Sequence, residues 1–271
     1  MSEENSYANV PANPPLPLTG TANTRELGGY PTRDGGRTRT HVFLRSDNLH
    51  HATDADEQWL YDYGVRTVVD LRTAVERLGH LDHDYQEHFS RRHFSMMQHI
   101  QAELVKDRLL DEAEKAPRTW ADVYIIMTER LKPQFRKTLQ TLIQADDAVL
   151  FHCTAGRDRT GITAMLLLTM ADVPEEVILT DYTATNGNMT PELVRNEKIM
   201  EALGGDVIPE GAFQALPDTM RTLQGHMKRK YGSVMGYIRD IGITDEDIAA
   251  LRSKFVEAAP PAAGKQKSAA L

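Results

Sequence analysis

Apolar and polar positions fall in short blocks that change period along the chain. Gly64 precedes Val65-Arg66-Thr67-Val68-Val69-Asp70, a run rich in β-branched residues that predicts a buried strand. Four consecutive apolar residues, Ala148-Val149-Leu150-Phe151, predict a second strand leading into the only cysteine. Thr40 to Leu44 and His88 to Phe94 read as two more. Between them lie helical patterns. Asp54 to Tyr63 follows Thr53, a capping residue. Ile100 to Lys115 is charged and amphipathic and is ended by Pro117. Thr119 to Ala145 is helical in composition with an interruption at Pro133, and Gly161 to Met170 predicts an apolar, buried helix. Strands followed by helices predict an α/β fold: a mainly parallel central sheet flanked by helices.

The ends differ from the middle. Residues 1–18 carry Pro11, Pro14, Pro15 and Pro17 and few bulky groups, which predicts a flexible N-terminal arm; 259–271 reads as a flexible C-terminal tail, leaving one domain over 19–258. The chain has 31 Lys plus Arg against 39 Asp plus Glu. That acidic balance excludes a general nucleic-acid binder but not an anionic substrate held in a local positive pocket. No apolar run is long enough to insert stably in a bilayer. No secretory signal is visible, so a cytoplasmic location is expected, with signal-independent export left open. A single cysteine, Cys153, rules out an internal disulfide and fits a reducing compartment.

The candidate chemistry lies in His152-Cys153-Thr154-Ala155-Gly156-Arg157-Asp158-Arg159-Thr160-Gly161, between the predicted strand and the apolar helix. A strand-to-helix turn containing Gly156 can point the N–H groups of Thr154 through Arg159 inward as a nest for an anion. The helix adds its positive end. Arg159 supplies a planar, bidentate clamp for two phosphate oxygens, and Arg157 adds charge. The same field favours the thiolate of Cys153, a nucleophile aimed at phosphorus. Thr160 is placed to hydrogen-bond the sulfur, and His152 to orient the loop.

These residues resemble the Cys-x5-Arg loop of protein tyrosine and dual-specificity phosphatases. More narrowly, they are similar to a bacterial branch of tyrosine and phosphoinositide phosphatases that includes secreted enzymes of mycobacteria and Listeria. Asn23-Thr24-Arg25-Glu26-Leu27-Gly28-Gly29, Leu44-Arg45-Ser46, Val68-Val69-Asp70-Leu71-Arg72, Asp181-Tyr182 with Asn186, and Tyr231-Gly232-Ser233 extend the likeness from about Asn23 to Val256. The resemblance implies a phosphatase fold, a phosphorylated protein or phosphoinositide as substrate, no cofactor, and a helical lid within 100–133, a stretch whose residues by themselves read as a pair of ordinary packed helices. It also implies supporting roles for Asn23, Arg25 and Arg45 at the phosphate site. Two positions depart from the branch: Glu26 where Asp is usual, and Arg157 where a lysine associated with inositol phosphate binding is usual.

Two aspartates qualify as the acid that protonates the leaving group. Asp70 ends a strand; if that strand runs parallel to 148–151, Asp70 and Cys153 share one sheet edge. Asp158 lies inside the loop. Sequence order leaves both open. His80, His83, His88, His93 and His99 match no familiar metal spacing, so no metal is expected. The reaction class predicted is phosphomonoester hydrolysis through a cysteinyl-phosphate, with phosphotyrosine ahead of phosphoinositides. A non-catalytic phosphate-binding module is the competing reading. A sulfurtransferase or an arsenate reductase also uses a cysteine-bearing anion loop, but the reductases need further cysteines.

Overall fold

The computed structural model describes residues 7–79, 88–97, 119–204 and 211–259. The predicted helix from Ile100 to Lys115, and with it most of the expected lid, lies outside these residues. So do His80, His83, His99 and the tail beyond residue 259.

Seven strands are present among the described residues: β1 (Arg25–Glu26), β2 (Arg37–Thr38), β3 (Phe43–Ser46), β4 (Val65–Asp70), β5 (Ser90–His93), β6 (Ala148–His152) and β7 (Val256–Glu257). Five of them form one sheet in the order β1-β3-β6-β4-β5, and β2 pairs with β7 apart from it. Only β1 runs antiparallel; β3, β6, β4 and β5 are mutually parallel. The expected mainly parallel α/β architecture is therefore present. Every residue of β6 is buried, which explains its unbroken apolar run: a central parallel strand is covered on both faces.

Three observations on the helices bear on the site. First, α1 (Asp54–Asp62) starts at Thr53, whose side chain accepts from the Asp56 N–H while Asp56 bonds back, a capping box. Second, α2 (Ala74–Gly79) follows β4 closely. Third, the predicted 119–145 helix divides into α3 (Trp120–Arg130) and α4 (Lys132–Gln144). The break falls at Leu131, and Pro133 sits in the first turn of α4, where its missing N–H has no intrahelical partner to lose. Val123, Tyr124 and Met127 of α3 are buried in the core, so this end of the expected lid region is packed structure.

Helix α5 (Asp158–Met170) begins three positions before the predicted Gly161 and lies almost wholly buried behind β6. It is followed by α6 (Glu175–Thr183), a short 3-10 turn, α7 (Pro191–Gly204), α8 (Pro217–Tyr231), α9 (Val234–Asp240) and α10 (Asp245–Phe255). None of the described helices is long and apolar enough to cross a membrane.

The proline-rich arm is not free over its described part. The Asn13 amide donates to the Glu26 and Gly28 carbonyls at 2.9 and 2.8 Å, and Leu16 N–H donates to the Thr24 carbonyl at 2.7 Å. Leu16 and Leu18 pack on a second apolar cluster under α1. A few apolar residues and one amide are enough to lay an extended segment on the body, where composition alone predicts freedom.

Candidate active site

The register β4 to β6 sets Asp70 opposite His152, so the ends of both strands and the loop after Cys153 share one edge of the sheet. The loop from Cys153 to Arg157 leaves that edge and enters α5.

Its shape is imposed from outside. Asn48 donates to the Thr154 carbonyl through both its backbone N–H (3.0 Å) and its side-chain amide (3.1 Å). The Asn23 amide donates to the Ala155 carbonyl at 3.0 Å, and Arg45 Nη2 to the Gly156 carbonyl at 2.7 Å. Three successive carbonyls are thus drawn outward. Because each trans peptide sets its N–H opposite its carbonyl, the N–H groups of Ala155, Gly156 and Arg157 turn inward, as an anion nest requires. Gly156 has φ +68°, and a Cβ there would lie 2.6 Å from the Ser46 carbonyl oxygen. Only glycine fits that turn.

Asn23, Arg25 and Arg45 therefore buttress the loop from behind. Arg25 donates to Asn23 Oδ1, which leaves the amide nitrogen of Asn23 facing Ala155. Arg25 Nε and Arg45 Nη1 both donate to the Asp181 carboxylate, and all three side chains are essentially buried. Asp181 is held below the ordinary carboxylate range because the two guanidiniums outweigh its desolvation. His152 Nδ1 lies 3.2 Å from the Cys153 carbonyl; a carbonyl only accepts, so that nitrogen carries the proton.

Cys153 is 1% exposed at the loop base. Arg159 is held end-on by Glu76 of α2: Nη1 to Oε2 at 2.7 Å and Nη2 to Oε1 at 2.6 Å. Glu76 Oε1 also accepts from Thr154 Oγ1 at 2.6 Å. Arg159 Nε is buried without a partner among the described residues, leaving that donor for a substrate oxygen. Burial works against the Arg159 cation, but the charge of Cys153 and the bond from Glu76 hold its pKa above the usual value. Glu76 is driven the other way: desolvation is outweighed by Arg159, bringing it to about 2. Thr160 Oγ1 is buried and has no partner among the described residues, so it makes no hydrogen bond to the sulfur of Cys153 in this state.

Glu76 is the site residue that the sequence pattern does not mark. Its one local signal is Thr73, whose hydroxyl accepts from the Glu76 N–H while Glu76 accepts from the Thr73 N–H. Glu76→Gln removes the charge that orients the guanidinium. The expected result is a fall in kcat/KM of roughly ten- to a hundredfold, since small misplacements of a clamp have such costs. Steady-state kinetics on an aryl phosphate checks this, and an unchanged kcat/KM removes the orienting role.

The two candidate acids part company here. The Asp70 carboxylate takes the Arg72 backbone N–H at 2.9 Å, Arg72 Nε at 3.0 Å and Nη2 at 2.9 Å, and faces Arg77 at 3.3 Å. Burial pushes its pKa up, but His152 and Arg72 together hold it well below the ordinary carboxylate range. Among the described residues Asp158 is bound through one oxygen: Oδ1 accepts from Trp120 Nε1 (2.6 Å), Tyr124 OH (2.8 Å) and Arg157 Nε (3.3 Å). Its pKa is also lowered, Arg157 and the two aromatic donors outweighing burial. Asp158 lines a pocket of about 240 Å³ together with Thr154, Ala155, Arg157 and Arg159, and Asp70 does not. Glu192, Asn196 and Glu197 of helix α7 also line the pocket, as do His50 and His51.

Of the histidines weighed for a metal, His88 Nδ1 pairs with Glu57 at 2.8 Å and His93 Nε2 meets the Arg72 carbonyl at 2.8 Å. These two are occupied in holding structure.

The sequence matches the profile of the tyrosine phosphatase family over residues 16–257. The chain belongs to that family. A tyrosine-protein phosphatase of Nostoc commune is 30% identical over 233 residues, covering 80% of this chain and 75% of the relative. A triple specificity protein phosphatase, PtpB, of Mycobacterium tuberculosis is 29% identical over 124 residues, 41% of this chain and 45% of that one. Among solved structures, P. aeruginosa TpbA aligns with 15% identity and a TM-score of 0.36, over 80% of this chain and 88% of the other. This tyrosine phosphatase is accordingly an enzyme that hydrolyses phosphomonoesters, and its substrates are phosphorylated molecules.

Proposed function

We propose that the enzyme hydrolyses phosphotyrosine in proteins through a cysteinyl-phosphate, with Asp158 as the proton donor. In the first step the Cys153 thiolate attacks phosphorus. The S–P bond forms as the P–O ester bond breaks, and the Asp158 proton goes to the departing oxygen. The loop amides and the side-on edge of Arg159 hold the three equatorial oxygens as charge spreads over them. In the second step water attacks phosphorus and gives a proton to the Asp158 carboxylate. The S–P bond then breaks, which restores the thiolate and releases inorganic phosphate. The reaction needs no redox partner, because each step is a displacement at phosphorus.

The observation that carries this assignment is the pocket itself: Asp158 shares it with the phosphate loop, whereas Asp70 is bound up by Arg72 outside it. The free-enzyme carboxyl is ionised at neutral pH, so it must gain its proton in the complex. A bound phosphate dianion supplies the push, since a like charge beside a carboxylate raises its pKa.

Turnover of a matched set of phosphotyrosyl, phosphoseryl and phosphothreonyl peptides and soluble phosphoinositides, without added metal, tests the substrate class. The highest kcat/KM is expected for phosphotyrosyl peptides, and rapid quenching should trap phosphate on Cys153. A wide preference for phosphoinositides in side-by-side kinetics would overturn the substrate assignment. Absence of a trapped adduct under burst conditions would overturn the mechanism.

A further inference from the structure

Arg157 is the second arginine lining the pocket, beside Arg159, yet each of its three nitrogens already has a partner. Its Nε lies 3.3 Å from Asp158 Oδ1, Nη1 3.0 Å from Glu197 Oε1, and Nη2 2.9 Å from the Ala212 carbonyl. The side chain is 6% exposed and that of Glu197 19%. Each arginine of the pocket thus meets a carboxylate from another helix, Arg159 that of Glu76 of α2 and Arg157 that of Glu197 of α7, and Arg157 faces its chain neighbour Asp158 as well. The two pairs are not equivalent. Glu76 leaves Arg159 Nε without a partner, while all three nitrogens of Arg157 are engaged.

The consequence is electrostatic. One phosphoryl group is satisfied by the loop amides and Arg159. A second phosphate on the same molecule needs a second cation, and a guanidinium already facing a carboxylate offers little net attraction. Glu192 and Glu197 on the α7 wall add repulsion. Every inositol lipid brings such a second phosphate, in its glycerol diester if not on the ring, whereas a phosphotyrosyl side chain does not.

We infer that Glu197 is a positioning residue that sets substrate selectivity: by holding Arg157 against the Ala212 carbonyl, it keeps the pocket tuned to molecules with a single phosphoryl group and discriminates against inositol phosphates. This rests on the hydrolytic reading above and deepens it. Glu197 acts only through Arg157, so the two residues must be coupled.

The experiment uses the full chain, with Glu197→Gln and Glu197→Ala, each alone and combined with Arg157→Ala. The Gln variant keeps the shape and removes the charge; the Ala variant removes both, at a partly buried helix position. The substrates are a phosphotyrosyl peptide and short-chain phosphatidylinositol 3,5-bisphosphate, soluble so that no membrane surface enters. The expected result is a rise of about tenfold or more in the lipid-to-peptide ratio of kcat/KM in the Ala variant, as one charge-assisted contact becomes available. A smaller rise is expected in the Gln variant. The gain should appear mainly in the lipid KM and vanish in both double variants. Calorimetric affinities for inositol hexakisphosphate relative to inorganic phosphate should move the same way. A ratio unchanged in folded Gln and Ala variants overturns the inference. So does a rise that survives Arg157→Ala, which would mean simple loss of repulsion at the wall. If no protein turns over either substrate but the calorimetric ratio shifts and depends on Arg157, the hydrolytic reading fails and the positioning role stands.

Discussion

Cys153→Ser is expected to lower kcat on a purified aryl phosphate by roughly 10⁵-fold or more while leaving phosphate binding in place, because loss of a nucleophile removes the covalent route and not the site. The loop does not depend on the sulfur for its shape. Its carbonyls are held by Asn48, Asn23 and Arg45, and its turn by Gly156. The serine hydroxyl replaces a sulfur at a position 1% exposed, so packing changes little. A serine hydroxyl is a far weaker acid than a thiol, so without a base it supplies no comparable nucleophile. Kinetics paired with phosphate titration by calorimetry separates the outcomes. Retained turnover in the serine variant would sink the cysteinyl-phosphate, whereas lost turnover together with lost phosphate binding would show that the substitution collapses the loop.

The second large effect separates the two aspartates. Asp158→Asn should lower kcat for an alkyl phosphate by about 10²- to 10⁴-fold, the usual worth of a positioned proton donor, and far less for a nitrophenyl ester that departs unaided. It should also remove the basic limb of the kcat profile, because that limb reports deprotonation of the acid in the complex. Asp70→Asn should behave differently. Asp70 is most of the way buried and is held by Arg72, so its loss appears in stability, at about 3 kcal/mol for breaking a buried pair. The sign follows from its depressed pKa in the folded state. A carboxylate of that kind contributes stability that is fully present above the unfolded value near 4 and is lost as pH falls toward the folded value. The stability gap between wild type and Asp70→Asn should therefore be full at pH 7 and shrink below about pH 4. Leaving-group series and urea melts at several pH values check both halves. If Asp70→Asn steepens the dependence on leaving-group pKa and Asp158→Asn does not, the roles are reversed.

The loop after Cys153 was legible in the sequence because its determinants are local. A strand of four apolar residues, a cysteine, a glycine and an arginine at fixed spacing describe a turn whose geometry depends on neighbours in the chain. The strand Val65–Asp70 and the Thr53 cap were legible for the same reason. The five-stranded order and its parallel register put Asp70 and Cys153 on one edge, as the alternation of strands and helices implied.

What only the tertiary structure decided is how the charges pair. Asp70 and Asp158 are alike as residues in a string, but one meets Arg72 and Arg77 and the other borders the pocket, and that difference lies in side-chain direction. Glu76 and Glu197 carry no period or motif that ties them to Arg159 and Arg157; they arrive on helices α2 and α7 from distant parts of the chain. Periodicity encodes which face of an element is buried. Asp70 with Arg72 and Arg157 with Asp158 are pairs of near neighbours in the chain, but a partner that reaches a charged group from another element is chosen by the packing of several elements at once, and no local spacing carries that choice.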